Sequence, residues 1–214
     1  MNYYLEITLL PNYEINLFSL WSKTFQQIHL GLVEMQNPQK RVPIGISFPE
    51  YKSGEKFSVL GSKLRLFASE EAALIQFDAN KRLSYLSDYV HCTSIRSVPN
   101  AVKGYAVYQR EQPKTGRERL ARRYAKRHNL DYEAAFNGKV ELCAKHDNTT
   151  KYQKALMSYS EMPHKIITTP FIRLKSLSSG NTFCLWIKKK AIENSVSGTF
   201  TTYGLSSAAS VPEF

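Results

Sequence analysis

Tyr3-Tyr4-Leu5-Glu6-Ile7-Thr8-Leu9-Leu10 is crowded with aromatic and branched side chains and closes at Pro11-Asn12, the pattern of a strand running into a turn. The period then changes. Leu17, Phe18, Leu20, Trp21, Phe25, Ile28, Leu32 and Met35 fall on one helical face. Beyond Pro38 and Pro43, Ile44-Gly45-Ile46-Ser47-Phe48 reads as a short strand stopped by Pro49, and Lys63–Phe67 alternates as another. Ser69 stands at an N-cap position ahead of Glu70 and Glu71, acids that the positive end of a helix favours. A last strand spans Tyr89–Val98 and ends at Pro99. The order β-α-β-β-α-β over residues 1–99 predicts a ferredoxin-like domain, the architecture of RNA recognition modules, without their usual RNA-binding aromatic consensus. The fold class expected is α+β, with a second, basic α+β domain over residues 100–214.

Charge separates the two parts. Residues 1–99 hold ten Lys/Arg against nine Asp/Glu, whereas residues 100–214 hold nineteen against nine. The excess peaks between Lys114 and His128, where seven Lys/Arg in fifteen residues meet only Glu118. Thr115 and Glu118 have capping-box spacing and predict a helix that starts at this run. On it Arg119, Arg122, Arg123, Lys126 and Arg127 occupy an arc of about 140° at the helical 100° per residue, with Leu120 and Tyr124 beside it. A solvated, salt-bridged face would interleave acids with bases. Like charges four apart destabilise a free helix, so a polyanionic partner is the cheaper account. An arginine-rich helix can enter the major groove of an RNA hairpin where that groove opens at helix ends and loops. Further on, Asp131 starts another helix, and residues 145–165 are polar with no clear period. Phe171–Ser178 and Thr182–Ile187 pair as a hairpin across Ser179-Gly180-Asn181. The two-residue period then places Ser176 and Ser178 on one strand face.

Other classes lose support. The first ten residues lack a basic segment, which argues against a secretory signal, and no apolar run approaches the roughly 20 residues of a membrane span. A soluble, cytoplasmic protein is expected. Cys92, Cys143 and Cys184 are odd in number and widely spaced, against a zinc site or a disulfide framework. No His pair has helical metal-ligand spacing and no carboxylate cluster suits Mg²⁺, so neither metal nor cofactor is expected. His29 sits at the edge of the first helix's apolar stripe, a position that by itself suits an ordinary boundary histidine; His91, His128, His146 and His164 have similar standing.

In their order and spacing these residues match a known pattern. Tyr4-Leu5-x-Ile7, His29, Ile44–Pro49, and Arg110-x-Gln112 precede Glu118-Arg119-Leu120-x-Arg122-Arg123-x-x-Lys126-Arg127-His128. Lys175-Ser176-x-Ser178-x-Gly180, Phe183, Tyr203–Ser206 and Val211-Pro212-x-Phe214 follow. Over almost its full length the chain resembles the repeat-processing endoribonucleases of type I-F (Ypest) CRISPR systems, members of the RAMP superfamily. The resemblance implies metal-independent cleavage of CRISPR precursor RNA at the base of the repeat stem-loop, leaving a 2′,3′-cyclic phosphate and a 5′-hydroxyl. It implies retention of the mature crRNA within a type I-F-like Cascade effector complex, whose other subunits would be partners. His29 would move the ribose 2′-hydroxyl proton, Ser176 would hold that nucleotide with Ser178 nearby, and Tyr203 would orient the histidine. Arg110 and Gln112 would read base edges, and Phe183 would stack on the terminal base pair. Arg119, Arg122, Arg123, Lys126 and Arg127 would grip phosphates; the chain departs from the family pattern where Ala121 and Lys126 stand in place of arginines. A non-catalytic subunit that caps an RNA hairpin is the rival reading, and a DNA-binding regulator the third.

Overall fold

The computed structural model describes residues 1–113, 116–145, 152–162 and 167–214. In chain order the elements are β1 (Tyr3–Leu9), α1 (Leu17–Glu34), β2 (Arg41–Val42), β3 (Gly45–Ser47), β4 (Lys63–Ala68), α2 (Glu71–Phe77) and α3 (Ala79–Arg82). Next come β5 (Val90–Cys92), β6 (Arg96–Ser97), β7 (Gly104–Glu111), α4 (Arg117–His128), α5 (Tyr132–Asn137), β8 (Val140–Lys145) and β9 (Tyr152–Met157). The chain finishes with β10 (Phe171–Lys175), β11 (Thr182–Ile192), β12 (Phe200–Thr201) and β13 (Val211–Glu213). The mixed α+β class follows directly. Among the described residues no helix is long and apolar enough to cross a membrane.

One antiparallel sheet runs β3-β4-β1-β5, with β6 also on β1. Alternation in β1 turns Leu5, Ile7 and Leu9 inward, while Glu6 faces its register partner Arg65 across β4 and ion-pairs with it at 2.8 Å. Asn16 caps α1 by accepting from the Ser19 amide at 2.9 Å, and Leu20, Trp21, Phe25, Ile28 and Leu32 lie buried beneath it. Each such side chain contributes roughly 1.5–3 kcal/mol of burial. Two local expectations are corrected. Glu70, not Ser69, occupies the N-cap of α2 and makes no side-chain cap bond. The single strand expected over Tyr89–Val98 is two short pieces, β5 and β6, both on β1.

A second antiparallel sheet runs β10-β11-β7-β13, and β2 pairs with β12. Its inward row, Tyr108, Ile172, Leu174, Leu185, Ile187 and Val211, joins the same buried cluster as Leu5, Phe25 and Phe48. The Tyr108 hydroxyl lies 3.2 Å from the Phe48 carbonyl and 2.9 Å from the Glu213 carboxylate, which Lys189 meets at 2.6 Å. The compact units therefore divide otherwise than at residue 99. One comprises Met1–Gln112 with Thr168–Phe214, the other Pro113–Ile167. Residue 99 falls inside a continuous core, because the strands after it pack their apolar rows on α1 and Phe48.

The second unit holds α4, α5 and the β8–β9 hairpin over a small core of Ala121, Val140 and Tyr159. Gly116 stands at the N-cap of α4 without a side-chain cap bond; Thr115, half of the expected capping box, lies outside the described residues, as do Lys114, His146 and His164. Asp131 caps α5 as expected, accepting from the Glu133 amide at 2.9 Å.

Candidate active site

His29 lies in the last three turns of α1, one position past buried Ile28, where a half-buried face meets the Phe200–Leu205 turn. Its Nδ1 is 2.8 Å from the Thr202 carbonyl. A carbonyl can only accept, so Nδ1 carries the proton and Nε2 is the basic nitrogen of the neutral ring. Burial lowers the His29 pKa below the ordinary histidine value, opposed by the Thr202 carbonyl, which stabilises the cation. The ring stacks on Tyr203 with centroids 4.2 Å apart and planes 9° from parallel.

The turn that carries Thr202 and Tyr203 is pinned on both sides. Phe200 and Thr201 pair with β2, and the Gly204 carbonyl accepts from Ile46 at 3.0 Å. Gly204 has φ +67°, and a Cβ there would sit 2.5 Å from Ile46 Cγ2, so only glycine allows this approach. The histidine is thus held by a backbone carbonyl from a segment far along the chain.

Ser176 and Ser178 are not on a strand face, as their spacing suggested. Strand β10 ends at Lys175, and both serines sit in the turn that closes the hairpin, their hydroxyls 3.1 Å apart. The turn is set by the Gly180 amide donating to the Ser176 carbonyl at 2.8 Å, with Gly180 at φ +69°. The Ser179 amide donates to Ser176 Oγ at 3.3 Å, and either serine hydroxyl can donate to the other. The Gln26 carboxamide, one turn before His29, accepts from the Lys175 amide at 3.2 Å and ties the turn to α1.

These elements enclose a cleft of about 300 Å³ lined by His29, Ser176, Ser178, Phe183 and Tyr203 among others. Phe183 meets Tyr203 edge-on at 6.5 Å, and the Arg110 guanidinium lies 5.7 Å and 5.8 Å from the Phe183 and Tyr203 ring centroids. Six of the expected site residues thus converge. Gln112 is exposed just beyond β7, in line with Arg110 by the two-residue period. Sequence reasoning missed Gln26 and the Thr202 carbonyl. Gln26 could be suspected only from its position three residues before His29, and a backbone carbonyl leaves no signal in a sequence.

On the separate unit, Arg119, Arg122, Arg123, Lys126 and Arg127 are all exposed on α4, and Arg122 lies 5.5 Å from the Tyr132 ring centroid. Arg117 points elsewhere, donating to the Ser160 carbonyl at 2.8 Å. Ala121 is fully buried, so its small size answers to packing rather than to a missing cation.

Residues 4–214 match the model of the family described as CRISPR-associated protein (Cas_Csy4). The chain is 31% identical over 215 residues to the CRISPR-associated endonuclease Cas6/Csy4 of Escherichia coli (strain UTI89 / UPEC), covering all of both chains. It is also 31% identical over 217 residues to the protein of the same name from Pseudomonas aeruginosa (strain UCBPP-PA14), again over the full length of both. A solved structure described as a RAMP protein binding different RNA substrates aligns over 99% of each chain at 12% identity with a TM-score of 0.34, a likeness too loose to bear on the fold.

Proposed function

Because the chain belongs to the Cas_Csy4 family of CRISPR-associated proteins, we propose that it is the endoribonuclease that cuts CRISPR precursor RNA at the base of each repeat hairpin. The observation that carries this reading is the fixed tautomer of His29, whose Nε2 is the basic nitrogen in a cleft shared with Ser176. Neutral His29 takes the proton of the ribose 2′-hydroxyl, and the resulting alkoxide attacks the adjacent phosphorus. The bond to the 5′-oxygen breaks, leaving a 2′,3′-cyclic phosphate and a 5′-hydroxyl that is protonated by the imidazolium or by water. The nucleophile belongs to the substrate, so the protein supplies position. Ser176 holds the ribose, Tyr203 keeps the imidazole plane, and Phe183 stacks on the last base pair.

Arg110 and Gln112 read base edges at the foot of the stem, and the α4 cations hold phosphates along it. The strand order β3-β4-β1-β5 with two flanking helix segments supports a ferredoxin-like reading of the first sheet. The cut guide RNA stays bound and recruits the other subunits of a type I-F-like effector complex. The test is incubation of the protein with a repeat hairpin in EDTA. Cyclic-phosphate ends from the wild type, absent with His29→Ala, are expected. Tight hairpin binding without any cut would establish the rival, a non-catalytic capping subunit.

A further inference from the structure

The faces of the second sheet differ. Its inward face buries Ile172, Leu174, Leu185 and Ile187, carries Arg110 and the Glu213-paired Lys189 besides, and runs into the cleft through Leu174 and Phe183. On the outward face the register sets Phe171 opposite Trp186, Arg173 opposite Cys184, and Lys188 opposite Gln109, with Lys190 two residues further along the same row. Arg173, Lys188 and Lys190 are exposed, and among the described residues none of the three forms an ion pair. Between them Phe171 and Trp186 are half-buried, their ring centroids 4.6 Å apart at 49°. The acid in register on this face is Glu111, whose carboxylate already accepts from the Thr169 hydroxyl at 2.5 Å.

Unpaired nucleic acid calls for cations spaced along a surface to follow the phosphates, with aromatic rings on which bases stack. A paired stem offers no free base faces to Trp186 and Phe171, so a duplex would leave that pair unused. An acidic protein would use the cations but has no particular need of a stacking pair. The face also begins where the reaction ends, since Lys175, the last residue of β10, is followed directly by Ser176 in the cleft. A strand leaving that turn meets Arg173 two residues, or about 7 Å, along β10.

Resting on the endoribonuclease reading above, we infer that the outward face of β10, β11 and β7 binds unpaired RNA continuing from the foot of the repeat hairpin. Phe171 and Trp186 stack its bases, and Arg173, Lys188 and Lys190 hold its phosphates. Unpaired RNA next to the cut is thereby held by this sheet. The ligand could be the strand entering the hairpin or the strand leaving it, and the two are separable by experiment.

Three hairpins with a single 2′-deoxynucleotide at the cut, and so uncleavable, would be compared by filter binding: bare, with an unpaired 5′ extension, and with an unpaired 3′ extension. One extension is expected to tighten binding at least about fivefold, the lower end for one stacked base. Its salt dependence should steepen by about two units for three added single-strand phosphate contacts. Combining Arg173→Ala, Lys188→Ala and Lys190→Ala should erase that gain and leave affinity for the bare hairpin unchanged. Trp186 gives a direct readout, since Trp21 is buried and bonded to the Gly61 carbonyl and supplies a constant background. An unpaired oligoribonucleotide alone should quench tryptophan emission in the wild type and not in the triple variant.

No gain from either extension, or a gain that survives the triple variant, overturns the inference. So does polyglutamate that binds through these cations while unpaired RNA does not, which would make the face a protein-docking surface. The oligoribonucleotide arm stays decisive even if the bare hairpin fails to bind, an outcome that would count instead against the proposed function.

Discussion

For His29 the Thr202 carbonyl decides the chemistry, because it consumes the only proton of the neutral ring and leaves Nε2 to receive another. His29→Ala is expected to lower the single-turnover cleavage rate by about 10²–10⁴ while hairpin affinity changes little. A variant that cuts at more than about a tenth of the wild-type rate would remove His29 from the role. In the proposed reaction the neutral ring is the base, so kcat/KM should be flat above the His29 pKa and fall below it. Burial lowers that pKa, and the acid limb should therefore lie below the value of about 6.5 of a free histidine. Rates at subsaturating RNA across this range check the sign. The same shift has a stability consequence: as pH falls through about 6.5 the unfolded chain takes its proton first, so stability declines from there toward the folded pKa. Ser176→Ala should slow cleavage by loosening the ribose, and Tyr203→Phe less, since the stacked ring is kept. Unchanged single-turnover rates in both would take them off the site.

On α4 a stripe of exposed cations lies opposite buried Ala121 and Ala125, the first of them in the small core of its unit. Neutralising Arg122 and Arg123 together should weaken binding to every stem sequence alike and flatten the log K against log salt slope by somewhat less than one unit per lost contact. A wild-type slope in that variant would mean that the helix is not the RNA grip. Ala121→Arg, which restores the residue type the family pattern shows, should lower the unfolding temperature without raising RNA affinity, because it forces a charge toward a core. Arg110 belongs to another element, β7, and in the proposed reading to base recognition. Arg110→Ala should narrow the gap between the cognate stem and one altered at the pair beside the cut by about 1–3 kcal/mol, the worth of a bidentate base contact. An equal loss on both stems would contradict base reading.

Over the whole molecule the larger core is built from both ends of the chain. Residues 1–99 alone leave Phe48, Ile44 and α1 without the strands that cover them, and so should show no cooperative unfolding by circular dichroism. Removing residues 113–167 should be better tolerated. The Thr169 hydroxyl lies 2.5 Å from the Glu111 carboxylate, so a short Gly-Ser linker can join the cut ends. A shortened chain that fails to unfold cooperatively would show that the second unit is needed for the first to fold.

Local regularities were legible from the chain alone. The period of Leu17–Met35, the alternation of β1 and β4, the Asp131 cap and the pairing of β10 with β11 each depend on residues close in the chain, and each is present, although the hairpin turn spans 176–181 rather than Ser179-Gly180-Asn181 alone. The charge stripe at Arg119–Arg127 was legible for the same reason. Tertiary structure alone decided where Ser176 and Ser178 sit, since a strand and the turn that ends it share a polar pattern. It also decided that residues 104–112 and 168–214 join the first core rather than a separate domain. Above all it set His29 against Thr202, across 173 positions of sequence. Backbone carbonyls carry no residue identity, so contacts of that kind become visible only when the chain closes on itself.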